Sequence, residues 1–331
     1  MELISKYRTH LMGVSIIWVM AFHLAAQGKE SFDFFILNPI IGNGYGGVDI
    51  FLFLSGIGLV RSWNGCLKAG SIIEALKFFY LKRLKRLFPA YIIVCLIYIG
   101  IWQLNLVHGI LCISTIGHWI GIGRYDWYIP TILAYYLIFP LLYKILIRNG
   151  KVTVVCTFFT VVAICLCLFI EYPYIEDVRV FSLSRLPIFC LGIYWGINLE
   201  KVFDKRNIII CYVLMFLGCM LLFYFKHSTY GFTLTCGAFQ LPFFLITPGL
   251  CIILVRIFHR LPLYLNQLFL YCGIMSLELY LVHLKLFENI YSLPFFTFEY
   301  RYIYALILAI IVLALSYFLN RSISKFMNKK Y

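Results

Sequence analysis

The sequence predicts an all-α, polytopic integral membrane protein with about ten transmembrane helices and both termini in the cytoplasm. Three observations predict it. The 331-residue chain is 63% hydrophobic and 13% charged, with a mean hydropathy of +0.92. A soluble domain carries about 25% charged residues, so this chain could not cover a water-facing surface. Apolar runs near the ~20 residues that a bilayer-crossing helix needs recur along its whole length. With the amino terminus inside and the runs alternating, only Lys29, Arg124, Arg179, Arg185, Lys226, Lys285 and Arg301, of 28 Lys and Arg, fall on or beside the outer side. That is the positive-inside bias. The net charge of +14 is therefore topogenic; a nucleic-acid partner would want a basic face on a soluble domain.

The first run, Leu11–Gln27, follows Lys6 and Arg8 and so imitates a signal peptide, but the many apolar runs after it make it a first span. Val48–Val60 is a short second span. Between it and the third span, SIIEALKFFYLKRLKRLF opens with Ser71 and Glu74 at capping-box spacing and repeats apolar residues at Ile73, Leu76, Tyr80, Leu84 and Leu87. This predicts a basic cytoplasmic helix at about 71–88, lying in the inner interface. Pro89–Val107, Trp127–Ile147, Val152–Ile170, Leu186–Leu199, Ile208–Phe225, Phe232–Val255, Leu268–Tyr291 and Tyr302–Leu319 supply the remaining spans. Neither an internal repeat nor a linker is visible, so residues 1–331 read as a single membrane domain. Most of the 12 cysteines lie inside apolar runs, where they act as small hydrophobes, and no CxxC pair suggests a metal.

Ionisable groups inside a span cost a few kcal/mol and usually face a cavity or a partner. His23 interrupts IIWVMAFHLAAQ eleven residues past Met12, roughly 16 Å along a helix and past the midplane toward the outside. It is either a packed histidine bonded to a carbonyl or a general base. Asp49 in YGGVDIFLFLSG either suits a helix N-terminus or orients an imidazole on the neighbouring helix. Gly46 and Gly47 beside it permit close backbone approach. Arg83 and Arg86, three apart, share a helix face. They either provide plain positive-inside charge or grip phosphate. Arg185 precedes LPIFCLG near the outer end of the sixth span. Glu278 and His283, five apart in SLELYLVH, point in different directions, whereas Glu278 and Lys285 align well enough to neutralise each other. Trp127 and Tyr128 open the fourth span as an aromatic belt would.

The order of these features resembles the membrane acyltransferase-3 family, which includes bacterial O-acetyltransferases acting on polysaccharide and lipopolysaccharide. The likeness is carried by AFHLA at Ala21–Ala25, GGVDIFLFLSG at Gly46–Gly56, FYLKRLKRLFPAY at Phe79–Tyr91, WYIPTILAYYLIFPLL at Trp127–Leu142, RLPIFCLGIYWG and SLELYLVH. Each is weak alone; six in order are strong. The resemblance implies a ten-span core that takes an acyl group, acetyl in the simplest case, from cytoplasmic acyl-CoA to a sugar hydroxyl at the outer face of a cell inner (plasma) membrane. It implies no permanently bound cofactor and no metal; acyl-CoA is a substrate, a carbohydrate or lipid-linked glycan is the acceptor, membrane lipids are neighbours, and no nucleic acid is involved. His23 becomes the catalytic base or acyl carrier, with Asp49 holding its other nitrogen. Arg83 and Arg86 become the acyl-CoA ligands, and Trp127, Tyr128, Arg185, Glu278 and His283 become acceptor-side or pore-lining residues. Two positions depart from the family pattern. Met12 stands where an arginine is common, with Arg8 one turn earlier, and Ile132 stands where a glutamate is usual. The residues alone also admit a proton-coupled secondary transporter with His23, Asp49, Glu278 and His283 as its relay, or a non-catalytic scaffold.

Overall fold

A computed structural model describes residues 2–26, 35–122, 125–171, 178–199, 204–227, 240–288 and 298–328. Every regular element among them is helical. They are α1 (Glu2–Ala26), α2 (Asn38–Ile41), α3 (Gly47–Cys66), α4 (Ile72–Trp102), α5 (Leu106–Ile113), α6 (Ile116–Ile120), α7 (Tyr128–Glu171), α8 (Val178–Ser184), α9 (Leu186–Ile197), α10 (Lys205–His227), α11 (Pro242–Phe258), α12 (Leu263–Ile274), α13 (Ser276–Glu288) and α14 (Arg301–Asn328), with short 3-10 turns between some of them.

The protein is built inside out relative to a soluble one. α10 and α14 present Ile209, Val213, Phe216, Phe223, Leu306 and Ile310 outward. Exposed aliphatic walls of this size suit lipid, where a helix satisfies all its own backbone groups. α3 is the opposite: nearly every residue from Gly47 to Val60 is buried, because α1, α4, α7, α9 and α11 surround it. Small residues set how closely these helices cross. A Cβ on Gly273 of α12 would lie 1.8 Å from the Thr9 carbonyl oxygen of α1, and one on Gly13 would lie 1.9 Å from that of Phe269. The two helices therefore touch backbone to backbone, the contact that glycine permits in membranes.

By length and composition six helices can cross a bilayer, seven if α12 and α13 form one span bent by 76°. Several expected elements differ in detail. The basic helix over 71–88 and the third span are one 31-residue helix, α4, capped where Ser71 accepts the Glu74 N–H at 3.2 Å. Pro89 lies inside it; buried Leu87, Ala90 and Tyr91 pack on either side of the bond that the proline removes. α4 stops at Trp102 rather than Val107, since Gln103 turns left-handed (φ 46°) and Asn105 caps α5. The fourth and fifth spans are two halves of α7, broken at Asn149 (φ −136°, ψ 45°). At 1.5 Å per residue its 44 residues would stretch about 66 Å, twice a hydrocarbon core, so the break is required. The ninth span is not straight: Met275 separates α12 from α13. The start of the eighth (232–239) and the end of the ninth (289–291) lie outside the described residues.

Gly273→Val should force α1 and α12 apart, and overpacking of this kind costs about 1–3 kcal/mol or more. Fluorescence-detected size exclusion should show loss of the monodisperse peak. Gly100→Ala, where an added Cβ meets nothing within 4 Å, should elute like the parent.

Candidate active site

α1 carries the two ends of the site. Its last turns hold His23, half-buried, whose ring centre lies 5.2 Å from that of His283 on α13, tilted by 56°. His283 is fully buried and donates Nδ1–H to the Leu279 carbonyl at 2.9 Å. That bond leaves the Nε2 lone pair as its reactive face, and Nε2 has no hydrogen-bond partner among the described residues. Two imidazolium charges this close would repel, so the pair carries at most one positive charge. Tyr280 packs 5.7 Å from His283 and 4.9 Å from Tyr128, so Tyr128 faces the bundle centre rather than a lipid belt.

Asp49 sits in the first turn of α3, but its charged partner is not an imidazole. Arg185, between α8 and α9, places Nε 3.5 Å from Asp49 Oδ2, with both side chains 2% exposed. The pair is ionic without hydrogen-bond alignment. The Arg185 guanidinium also lies 4.7 Å over the Trp127 ring, donates to Gln240 Oε1, and reaches the Tyr45 carbonyl at 3.4 Å. Burial explains the arrangement, because a lone carboxylate here would be a bare charge. Trp127 thus holds a cation instead of lining an interface. Ile132, where a glutamate was expected, is buried in the apolar core.

A carboxylate that the motifs did not single out lies nearby. Asp126 Oδ1 accepts the Ile129 N–H at 2.8 Å and caps α7, while Oδ2 has no partner among the described residues. Its place three residues before Ile129 was the available signal. Burial pushes its carboxyl from the ordinary 3.8 up to about 7.

At the other end of α1, Arg8 donates Nε–H to the Leu54 carbonyl at 3.1 Å, and Gly58 leaves the room its guanidinium occupies. Arg8 lines a cavity of about 770 Å³ with Arg61, Lys82 and Arg83. No Asp or Glu is among its described lining residues. Arg83 stacks over Phe79 and Tyr136, with Nε unpartnered among the described residues. Arg86 does not join it. Arg86 Nη1 binds Glu278 Oε1 at 3.0 Å, and Nη2 binds the Ile274 carbonyl at 3.1 Å. It therefore ties the end of α12 to the first turn of α13. The expected Glu278–Lys285 pairing is replaced by this contact; the Lys285 ammonium lies over the Tyr98 and Tyr125 rings.

A family model for the acyltransferase domain matches residues 10–321. No curated protein matches the chain. No solved structure matches it. The chain belongs to the acyltransferase-3 family and is a multi-pass membrane enzyme that transfers acyl groups.

Arg86→Ala should lower stability by about 1–3 kcal/mol, less than for a fully buried pair because Arg86 is 47% exposed. Adding Glu278→Gln should recover part of the loss by removing the stranded charge. A thermal melt of the single and double variants checks this; a purely ligand-binding Arg86 would show no rescue. The Asp126 carboxyl gives a second test. Its folded-state value is raised, so it stabilises the protein at low pH and loses that contribution as pH climbs toward about 7. The melting temperature of the parent should therefore fall relative to Asp126→Asn between about pH 4 and 7.

Proposed function

We propose that this acyltransferase moves an acyl group, acetyl in the simplest case, from acyl-CoA on the cytoplasmic side to a hydroxyl of a cell-surface or exopolysaccharide sugar on the outer side. The setting is a ten-span chain in a cell inner (plasma) membrane, with both ends in the cytoplasm. The observation that carries the reading is the cavity shared by Arg8, Arg61, Lys82 and Arg83 without a lining carboxylate. Four cations held together at the edge of a low-dielectric region call for an anion. Phosphates meet guanidinium groups well, and CoA carries three of them. Acyl-CoA is consumed as a substrate, and no cofactor is held permanently.

Fifteen residues separate Arg8 from His23, roughly 22 Å along α1. A donor anchored by its phosphates at one end can extend its acyl-pantetheine arm toward the other. His23 then removes the proton from the acceptor hydroxyl. The hydroxyl oxygen bonds to the acyl carbon, the carbon–sulfur bond breaks, and the proton passes to the departing thiolate. In the alternative route His23 first takes the acyl group itself and hands it on. His283, held in one tautomer by Leu279, is the group beside His23 in either route. Asp49 and Arg185 fix the start of α3 against Trp127 and act as positioning residues. In this reading Arg8 does the work of the arginine missing at Met12, and the donor ligands are Arg8 and Arg83, with Arg86 serving the α12–α13 break.

The test uses the purified protein in lipid vesicles with radiolabelled acetyl-CoA and a glycan acceptor. His23→Ala should abolish transfer while leaving the folded yield intact. Arg8→Ala and Arg83→Ala should each raise the donor KM about tenfold or more, the loss of a charge-assisted contact worth roughly 1.5–3 kcal/mol. Undiminished transfer by His23→Ala, or transport without dependence on CoA, would overturn the reading.

A further inference from the structure

α5 is an eight-residue helix with a difficulty. It is too short to be stable alone, and its outward side chains Leu106, Val107 and Ile110 are exposed. Something must pin it to the helix it follows. α4 and α5 form a hairpin across Gln103–Asn105. Cys95 lies seven residues before the last residue of α4, and Cys112 six residues after the first of α5, so both sit about two turns from the bend. The geometry brings them together: Cys112 Sγ is 3.8 Å from Cys95 Sγ, and both side chains are buried. Tyr91, one turn below Cys95, donates its hydroxyl to the Cys112 carbonyl at 2.8 Å and fixes the register.

We propose that Cys95 and Cys112 are a disulfide site that staples α5 to α4. Sulfurs in van der Waals contact on two fixed helices need side-chain rotation of under about 2 Å to reach bonding distance. The reaction is thiol–disulfide exchange with a protein or small-molecule disulfide of the outer compartment: both thiols lose their protons, the new Sγ–Sγ bond forms, and the partner disulfide leaves as two thiols. Once docked, the pair is shielded, so the bond forms as α5 settles against α4. The α4–α5 hairpin follows the third predicted span, which on the proposed topology ends outside, where disulfides persist. The staple has a reach beyond the hairpin. Tyr91 packs edge-on to Tyr125 at 6.4 Å, and the Tyr125 hydroxyl donates to the Leu281 carbonyl of α13, the helix that carries His283. The pair is invisible in the sequence, where 17 residues and a turn separate two cysteines that each read as apolar filler.

Protein purified from membranes without reductant, unfolded in N-ethylmaleimide and digested, should yield a Cys95–Cys112 linked peptide lighter by two hydrogens than the two thiols. Protein isolated reduced, opened with denaturant and refolded in oxidised glutathione should link this pair and not others. Reductant should lower the melting temperature of the wild type and leave that of C95S/C112S unmoved. Both thiols alkylated after exposure to oxidised glutathione, or either sulfur joined to a different cysteine, would overturn the proposal. The peptide map needs only the wild-type chain, so it decides even where the double variant folds poorly.

Discussion

A charge taken out of water inside a bilayer must find its counter-charge within the protein, and this constraint arranges the whole molecule. Asp49 and Arg185 meet at the start of α3, where neither could stand alone. Glu278, fully buried, is met by Arg86 from a helix 192 residues earlier in the chain. Each contact joins elements that sequence separates: α3 to the α8–α9 junction, and α4 to the break between α12 and α13. The exceptions then become informative. Arg83 Nε and His283 Nε2, among several buried atoms without hydrogen-bond partners in the described residues, stand one at each end of the line from Arg8 to His23.

The same reasoning dismisses a tempting alternative. His118 Nε2 lies 3.1 Å from Ser182 Oγ, the spacing of a base and a nucleophile. The protons decide otherwise. Thr131 Oγ1 is 2.6 Å from the Trp127 carbonyl and must donate to it, because two oxygens at that distance repel without a hydrogen between them. Ser182 Oγ, 2.5 Å from Thr131 Oγ1, must then donate to Thr131. Its proton is spent, so His118 Nε2–H donates to Ser182. Nε2 is a donor toward Ser182 and cannot take the serine's proton. Thr131, Ser182 and His118 form a hydrogen-bonded chain that holds α6 and α8 to α7, and within it the serine proton is already committed.

The fold class was legible in the sequence because bilayer physics writes it in composition: apolar runs and the inner bias of Lys and Arg are one-dimensional signals. His23 and the basic stretch around Arg83 were legible for the same reason, as polar residues in the wrong solvent. What could not be read was pairing. Arg86 and Arg83 share a helical spacing, and only the position of the α12–α13 break sends Arg86 toward Glu278 while Arg83 turns to the cavity. Asp49 beside a histidine-bearing helix looked like an orienting carboxylate until Arg185, 136 residues away, was seen to occupy it. His283 looked like a distant member of a motif until the bend at Met275 set α13 against α1. Residues whose role depends on a long-range crossing carry no local signature.

Arg8 shows how such a crossing can hide a substitution. The position eleven residues before His23 is Met12, which packs on the apolar core. One turn earlier on the same helix face, Arg8 reaches the cavity that Arg83 lines, and it can do so because residue 58 is glycine: a Cβ there would lie 2.5 Å from its Nη2. The guanidinium is thus moved down α1 by about 6 Å and kept by a single compensating gap on α3. Along α1 the guanidinium-bearing residue therefore stands roughly 22 Å from His23, against about 16 Å for position 12.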